Sequence, residues 1–216
     1  YEIGVRLVGS EMCIRDRNAT VPFINGCDNS YHPCQILADA LTILEKFGTL
    51  DVNLMYIGAK NNVFNSHVEF FSKMKKGTLY GLTPLVNETA CGPDFYEEAK
   101  KSGHYIELDP AMSMEEAKEY ANKMDVLYTD TWVDMEFFNN PAYQKQKEET
   151  LAKMMPYQLN GDFTKDSKAI VFHDMPMHVG FEISQDVVDK NLDHILDEAE
   201  NRRHAEKAVM YTLLNS

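Results

Sequence analysis

Apolar residues along this chain fall into two periods, and the alternation between them predicts its architecture. Ile36, Leu37, Ala40, Leu41, Ile43, Leu44 and Phe47 recur at helical spacing, with Gly48 just beyond them. That pattern predicts a helix over 34–47, buried on most of its circumference and ended by a glycine free to turn left-handed. Short apolar runs at 52–57, 78–82, 105–108, 125–129 and 169–172 predict strands. Helical patterns are predicted between and after them, near 63–75, 94–102, 113–122, 141–153 and 198–213. The last of these carries a stripe at Ala205, Ala208, Val209, Thr212 and Leu213.

Strands that alternate with helices predict an α/β fold, a Rossmann-like parallel sheet with helices on both faces. In such sheets ligands bind beyond the carboxyl ends of the strands. Composition removes several function classes. The net charge of −13 argues against a nucleic-acid surface, which needs clustered Lys and Arg to neutralise phosphates. No apolar run approaches the roughly 18 residues of a membrane span, and the first residues lack the apolar stretch of a secretory signal. Cys13, Cys27, Cys34 and Cys91 show no Cys-x-x-Cys spacing, which predicts free thiols in a reducing, cytoplasmic setting rather than a disulfide framework or zinc site. The stretch from Glu11 to Arg17 resembles a translated sequencing adapter, so 1–17 are expected to be non-native and are set apart from the fold.

Candidate chemistry begins at His32-Pro33-Cys34-Gln35. Proline favours the first helical position, so His32 and Gln35 would flank a helix N-terminus, whose unpaired N–H groups suit an anion. Further along stand Asn61-Asn62, then Asp130-Thr131-Trp132-Val133-Asp134-Met135-Glu136, then Tyr157-Gln158-Leu159-Asn160. His173-Asp174-Met175-Pro176 and Asp197-Glu198-Ala199-Glu200-Asn201-Arg202 complete the series. His173 and His178 are five apart, which misses the spacing of paired helical metal ligands, and no metal is expected. No Gly-x-Gly-x-x-Gly follows a strand, which argues against a nucleotide-dependent enzyme, and no cofactor is expected.

In order and approximate spacing these six motifs resemble those of the aspartate/ornithine carbamoyltransferases, the ornithine type above all, across 20–214. The resemblance implies an amino-acid-binding domain and carbamoyl transfer from carbamoyl phosphate to ornithine or a related basic amine. His32, Gln35 and Arg202 would contact the carbamoyl group, with His32 and Arg202 also counted as catalytic. Asn62, Asp130, Asp134 and Met135 would hold the amino acid, Asn62 by donating to a carboxylate and Asp130 by accepting from an ammonium. Three positions depart from the pattern. Asp134 and Glu136 replace Ser and Gly, and Asp174 replaces the Cys beside the attacking amine. Asp174 is therefore the expected proton-handling residue, and a basic amine other than ornithine is a second possibility.

The resemblance also implies a homotrimer and an N-terminal phosphate-binding domain with a Ser-x-Arg-Thr loop. No such loop occurs here. The expected divisions are 1–17, then 18–47 as the end of the carbamoyl-phosphate domain with an interdomain helix, 48–197 as the amino-acid-binding domain, and 198–216 as a second interdomain helix. The chain alone is expected to be inactive, with apolar surface exposed on its first and last helices. The competing reading is a non-catalytic module that binds an amino acid or polyamine. The retained His32, Gln35 and Arg202 speak against it, because an amine sensor has no use for carbamoyl ligands.

Overall fold

The computed structural model describes residues 20–133 and 135–215, without the side chains of Met135 and Glu136. The expectations for 1–17 and for the side chains of Asp134, Met135 and Glu136 lie outside the described residues. Each predicted strand is present: β1 is Asn53–Lys60, β2 Thr78–Val86, β3 Tyr105–Glu107, β4 Val126–Thr129 and β5 Ile170–His173. They form one parallel sheet in the order β3-β2-β1-β4-β5. The chain runs outward from β1 to β3, returns across the sheet, and runs outward again through β4 and β5. The direction reverses between β1 and β4, and in open α/β sheets ligands bind at such a reversal, beyond the carboxyl ends of the two strands.

The helices α1 (Pro33–Phe47), α2 (Asn62–Met74) and α3 (Pro93–Lys100) pack on one face of the sheet. On the other face lie α4 (Met114–Ala121), α7 (Gly161–Thr164) and the start of α8 (Gln185–Asn215). Short α5 (Met135–Phe138) and α6 (Gln144–Met154) fill the connection between β4 and α7. Pro33 opens α1, and Gly48 closes it at φ 69° with its N–H on the Leu44 carbonyl. Asn61 caps α2 by accepting the Phe64 N–H, so the carboxyl end of β1 and the start of α2 are one turn of chain. In mid-β2, Gly81 leaves room for the Phe64 ring: a Cβ there would lie 2.7 Å from Phe64 Cζ.

Two expectations need correction. The last helix does not start at 198 but runs unbroken from Gln185 to Asn215, 31 residues or about 46 Å. The Asp-Glu-Ala-Glu-Asn-Arg run therefore lies mid-helix. The first helix is not buried by its apolar positions alone: Leu37 and Leu44 face outward, while Gln35, Asp39 and Thr42 are buried. The apolar exposure expected on the first and last helices is present at Leu37, Leu44, Leu196, Met210, Tyr211 and Leu214. No helix among the described residues is long and apolar enough to cross a membrane. Cys27, Cys34 and Cys91 are free thiols.

Candidate active site

The carboxyl ends of the strands and the start of α1 bring together side chains from four elements. Asn61 follows β1, Asp130 follows β4 and Asp174 follows β5, while His32 precedes α1. Burial and short chain connections fix each of them. Asp130 is buried, with Oδ1 accepting the Thr131 N–H at 2.6 Å and Oδ2 accepting Asn61 Nδ2 at 2.6 Å. Burial pushes its pKa up to about 6, against the opposing pull of His173 and of those hydrogen bonds.

Asp174 Oδ2 lies 3.6 Å from His32 Nε2, with both side chains largely buried. Burial, followed by the negative charges of Asp130 and Glu198, raises the Asp174 pKa to about 8, although Arg202 and His173 pull it down. His32 moves the other way. Burial and the neighbouring Arg202 charge lower it to about 4, so its imidazole is neutral at pH 7. Its backbone N–H donates to Ser66 Oγ at 2.7 Å, which ties the loop before α1 to α2. Arg202 sits on α8 at the edge of this group, part-exposed, with Nε donating to Glu206 one turn along at 3.3 Å.

The remaining predicted residues are committed elsewhere. Asn62 does not face Asp130; its Nδ2 donates to the Asp28 carbonyl at 2.8 Å and approaches Cys27 Sγ at 3.4 Å. The neighbouring Asn61 is the one that touches Asp130. Gln35 turns inward, and its Nε2 donates at 2.9 Å to both Asp39 Oδ1 and Glu198 Oε1. The Tyr157-Gln158-Leu159-Asn160 run is a brace: Gln158 Nε2 donates to the Gly180 and Phe181 carbonyls, and Asn160 caps α7. Trp132 is buried beside Asp130 in sequence, with its indole N–H unpartnered.

Sequence reasoning missed a set of buried carboxyl groups behind the site. Glu182 holds His173 Nε2 at 3.2 Å and also accepts the His178 N–H, so it pins both ends of the loop that carries Asp174. Burial alone would lower the His173 pKa, but the Glu182 hydrogen bond and the Asp130 charge more than offset it and the net shift is upward. Glu198 Oε2 accepts the His173 N–H at 2.9 Å. Burial raises the Glu198 pKa, although the hydrogen bonds to it act in the opposite direction. A carboxylate in a motif of alternating charges reads as solvated surface; only the fold shows that this one points into the core.

The site thus has a buried carboxyl with a raised pKa, a neutral imidazole beside it, and a second carboxyl at the end of β4. That set can bind a cation and take a proton from it. Comparison with known proteins gives a consistent picture. The family described as aspartate/ornithine carbamoyltransferase, Asp/Orn binding domain, matches residues 50–213. An ornithine carbamoyltransferase of Archaeoglobus fulgidus is 34% identical over 204 residues, covering 92% of this chain and 61% of that protein. One from Pyrococcus horikoshii is 37% identical over 212 residues, with coverage of 91% and 60%. Among solved structures, ornithine carbamoyltransferase from Thermus thermophilus superposes with a TM-score of 0.75 at 30% identity, covering 95% of this chain and 63% of that one. The enzyme from Pyrococcus furiosus gives 0.73 at 34%, with coverage of 90% and 60%. This chain spans 56% to 62% of the length of the curated relatives it matches.

Proposed function

The chain belongs to the aspartate/ornithine carbamoyltransferase family, and from that premise we propose that it forms the amine-binding side of an enzyme that carbamoylates ornithine or a related basic amine. The observation that carries this is the meeting of Asp130, Asp174 and neutral His32 at the reversal point of the sheet. An ammonium group entering the site meets two buried carboxyl groups. The positive charge of the ammonium favours the ionised form of Asp174, which is then a stronger base than an ordinary carboxylate and takes the proton that must leave before the amine can attack. The freed amine lone pair then forms the C–N bond to the carbonyl carbon of carbamoyl phosphate. The C–O bond to phosphate breaks with its electron pair on the phosphate, which also takes the second amine proton as the neutral product forms. Arg202 at the edge of the site would stabilise the oxyanion that develops between those events.

The relatives are longer than this chain, and we propose that the chain alone binds amine without turning over carbamoyl phosphate. The test is calorimetric titration of ornithine, putrescine, lysine and aspartate onto the purified chain and onto Asp130→Asn, with citrulline formation assayed in parallel. Binding of ornithine that weakens at least about tenfold in Asp130→Asn is the expected result. Putrescine bound more tightly than ornithine would move the substrate to a diamine. Equal affinity for aspartate would overturn the basic-amine assignment, and citrulline formed by the chain alone would overturn its inactivity.

A further inference from the structure

Behind Asp174 lies a buried group that the reaction above does not use: Asp39 and Gln35 on α1, His67 on α2, Tyr128 on β4 and Glu198 on α8. His67 Nδ1 lies 3.3 Å from the Val63 carbonyl, an acceptor only, so Nδ1 carries a hydrogen. His67 Nε2 faces Asp39 Oδ2 at 3.4 Å, and both atoms are otherwise unpartnered. A neutral imidazole would present a lone pair there, and so would a carboxylate. One proton between these two atoms, on His67 or on Asp39, would satisfy both, while on its other side Asp39 lies within hydrogen-bond reach of Glu198. The same Gln35 Nε2 donates to one oxygen of Asp39 and one of Glu198, which holds the two carboxyl groups against each other. Two anions cannot be accommodated there as readily as an anion and an acid.

We propose that Asp39 holds this proton as a neutral acid, leaving Glu198 the anion, and that Glu198 is the positioning residue that sets the place and charge of Asp174 through the His173 amide. The assignment rests on the reading of Asp174 as the group that meets the amine. Burial supports it from both sides, lowering the His67 pKa to about 3 and raising that of Asp39 well above the usual carboxylate range. Glu198 then has one oxygen on Gln35 and the other on the His173 N–H, the peptide group immediately before Asp174. The charged and titratable groups facing Asp174 are Asp130 after β4, His173 beside it on β5, Tyr56 from β1 and Tyr128 from β4, His32 and Cys27 from the segment before α1, Asp39 from α1, and Arg202 and Glu198 from α8. With Asp39 neutral, Glu198 is the anion of the buried pair that acts on Asp174.

Nuclear magnetic resonance of the whole chain tests this. Imidazole ¹⁵N shifts at pH 7 should show His67 neutral with its proton on Nδ1; an imidazolium would overturn the assignment. Carboxyl ¹³C titration then reads the Asp174 midpoint. Asp39→Asn mimics a neutral acid, donating to His67 and accepting from Gln35, so it should fold and leave that midpoint within about 0.3 pH unit. Glu198→Gln removes an anion and should lower the midpoint by about one unit. Equal shifts from both variants would show Asp39 to be charged, and no shift from Glu198→Gln would overturn the role of Glu198. Should Glu198→Gln not fold, Glu198→Asp, which keeps the charge on a shorter arm, should move the His173 amide proton and the Asp174 midpoint together; if neither moves, the proposal fails. Ornithine that leaves the Asp174 carboxyl signal unmoved would remove that residue's role with the amine while leaving the Asp39–Glu198 arrangement standing.

Discussion

On one face of the sheet the strands present Tyr56, Tyr105, Tyr128 and Phe172 to Phe64, Phe71 and Tyr96. On the other, Met55, Ile57, Leu127 and Val171 meet Ala117, Ala121, Ile183, Val187 and Ile195. The faces alternate along each strand, as the two-residue repeat of side chains requires. Their buried polar content differs sharply. Asn61, Asn65, His67 and the hydroxyls of Tyr56, Tyr96 and Tyr128 all lie on the aromatic side, where rings bring polar tips into the interior. Tyr56 and Tyr128 stack with centroids 5.6 Å apart, and His67 stands edge-on to Tyr128 at 4.4 Å. The aliphatic side carries the His173–Glu182 pair at the end of β5 and is otherwise mostly aliphatic packing. The face that supports the site is thus built to hold polar groups in fixed places, and the opposite face supplies cohesion.

The largest effect that would sharpen this contrast is expected from Phe64→Ala. It should cost about 3–5 kcal/mol in urea unfolding, and because Phe64 follows the Asn61 cap it should also weaken amine binding. Leu127→Ala on the aliphatic face should cost about 2–5 kcal/mol with amine affinity unchanged within about twofold. Affinity lost in both variants alike would mean that the faces do not divide the work.

A smaller effect concerns pH. A carboxyl whose folded pKa is raised keeps its proton in the native state after the unfolded chain has released it, so stability falls as pH rises toward the folded value. The lowered pKa values of His32 and His67 act oppositely, but only below the ordinary histidine value of 6.5. Between pH 6.5 and 8 the raised Asp174 group therefore sets a downward slope of about 2 kcal/mol, joined by Asp39 and His173 in the same direction. Melting curves across that window should show the decline, and Asp174→Asn should flatten much of it. A slope unchanged in Asp174→Asn would place the titration elsewhere. The smallest effect is expected at the surface. Lys73→Ala breaks only an exposed pair with Glu69 and should leave the melting temperature within about one degree.

The strands were legible because each is a short apolar run, and the central β1 and β4 are buried on both faces along nearly their whole length, as a parallel sheet covered by helices imposes. The first half of α8 was not. Leu192 and Leu196 point outward there while Glu198 and Asn201 point inward, so its apolar residues do not trace a single stripe. The same inversion hid part of the site. Asp130, Asp174, His32 and Arg202 stand in recognisable motifs and do come together. Asp39, Glu182 and Glu198 look in sequence like the solvated carboxylates around them, because burial of a charge is decided by distant partners: α8 for Asp39, and the end of β5 for Glu182 and Glu198. Between the two asparagines of one dipeptide, local pattern could not tell which faces Asp130; the capping geometry of α2 assigns that place to Asn61.

The close approach of Phe64 to Gly81 carries a consequence for how this sequence can drift. Any side chain at 81 would claim the space that the ring fills, 2.7 Å from where its first carbon would be. The two positions can therefore change only in order: a larger residue at 81 is admissible only in a lineage where the ring at 64 has already shrunk. That intermediate must pass through a chain with a hole in its core, so the pair is inherited as a unit, and descendants should sort into glycine with a ring or a small side chain without one.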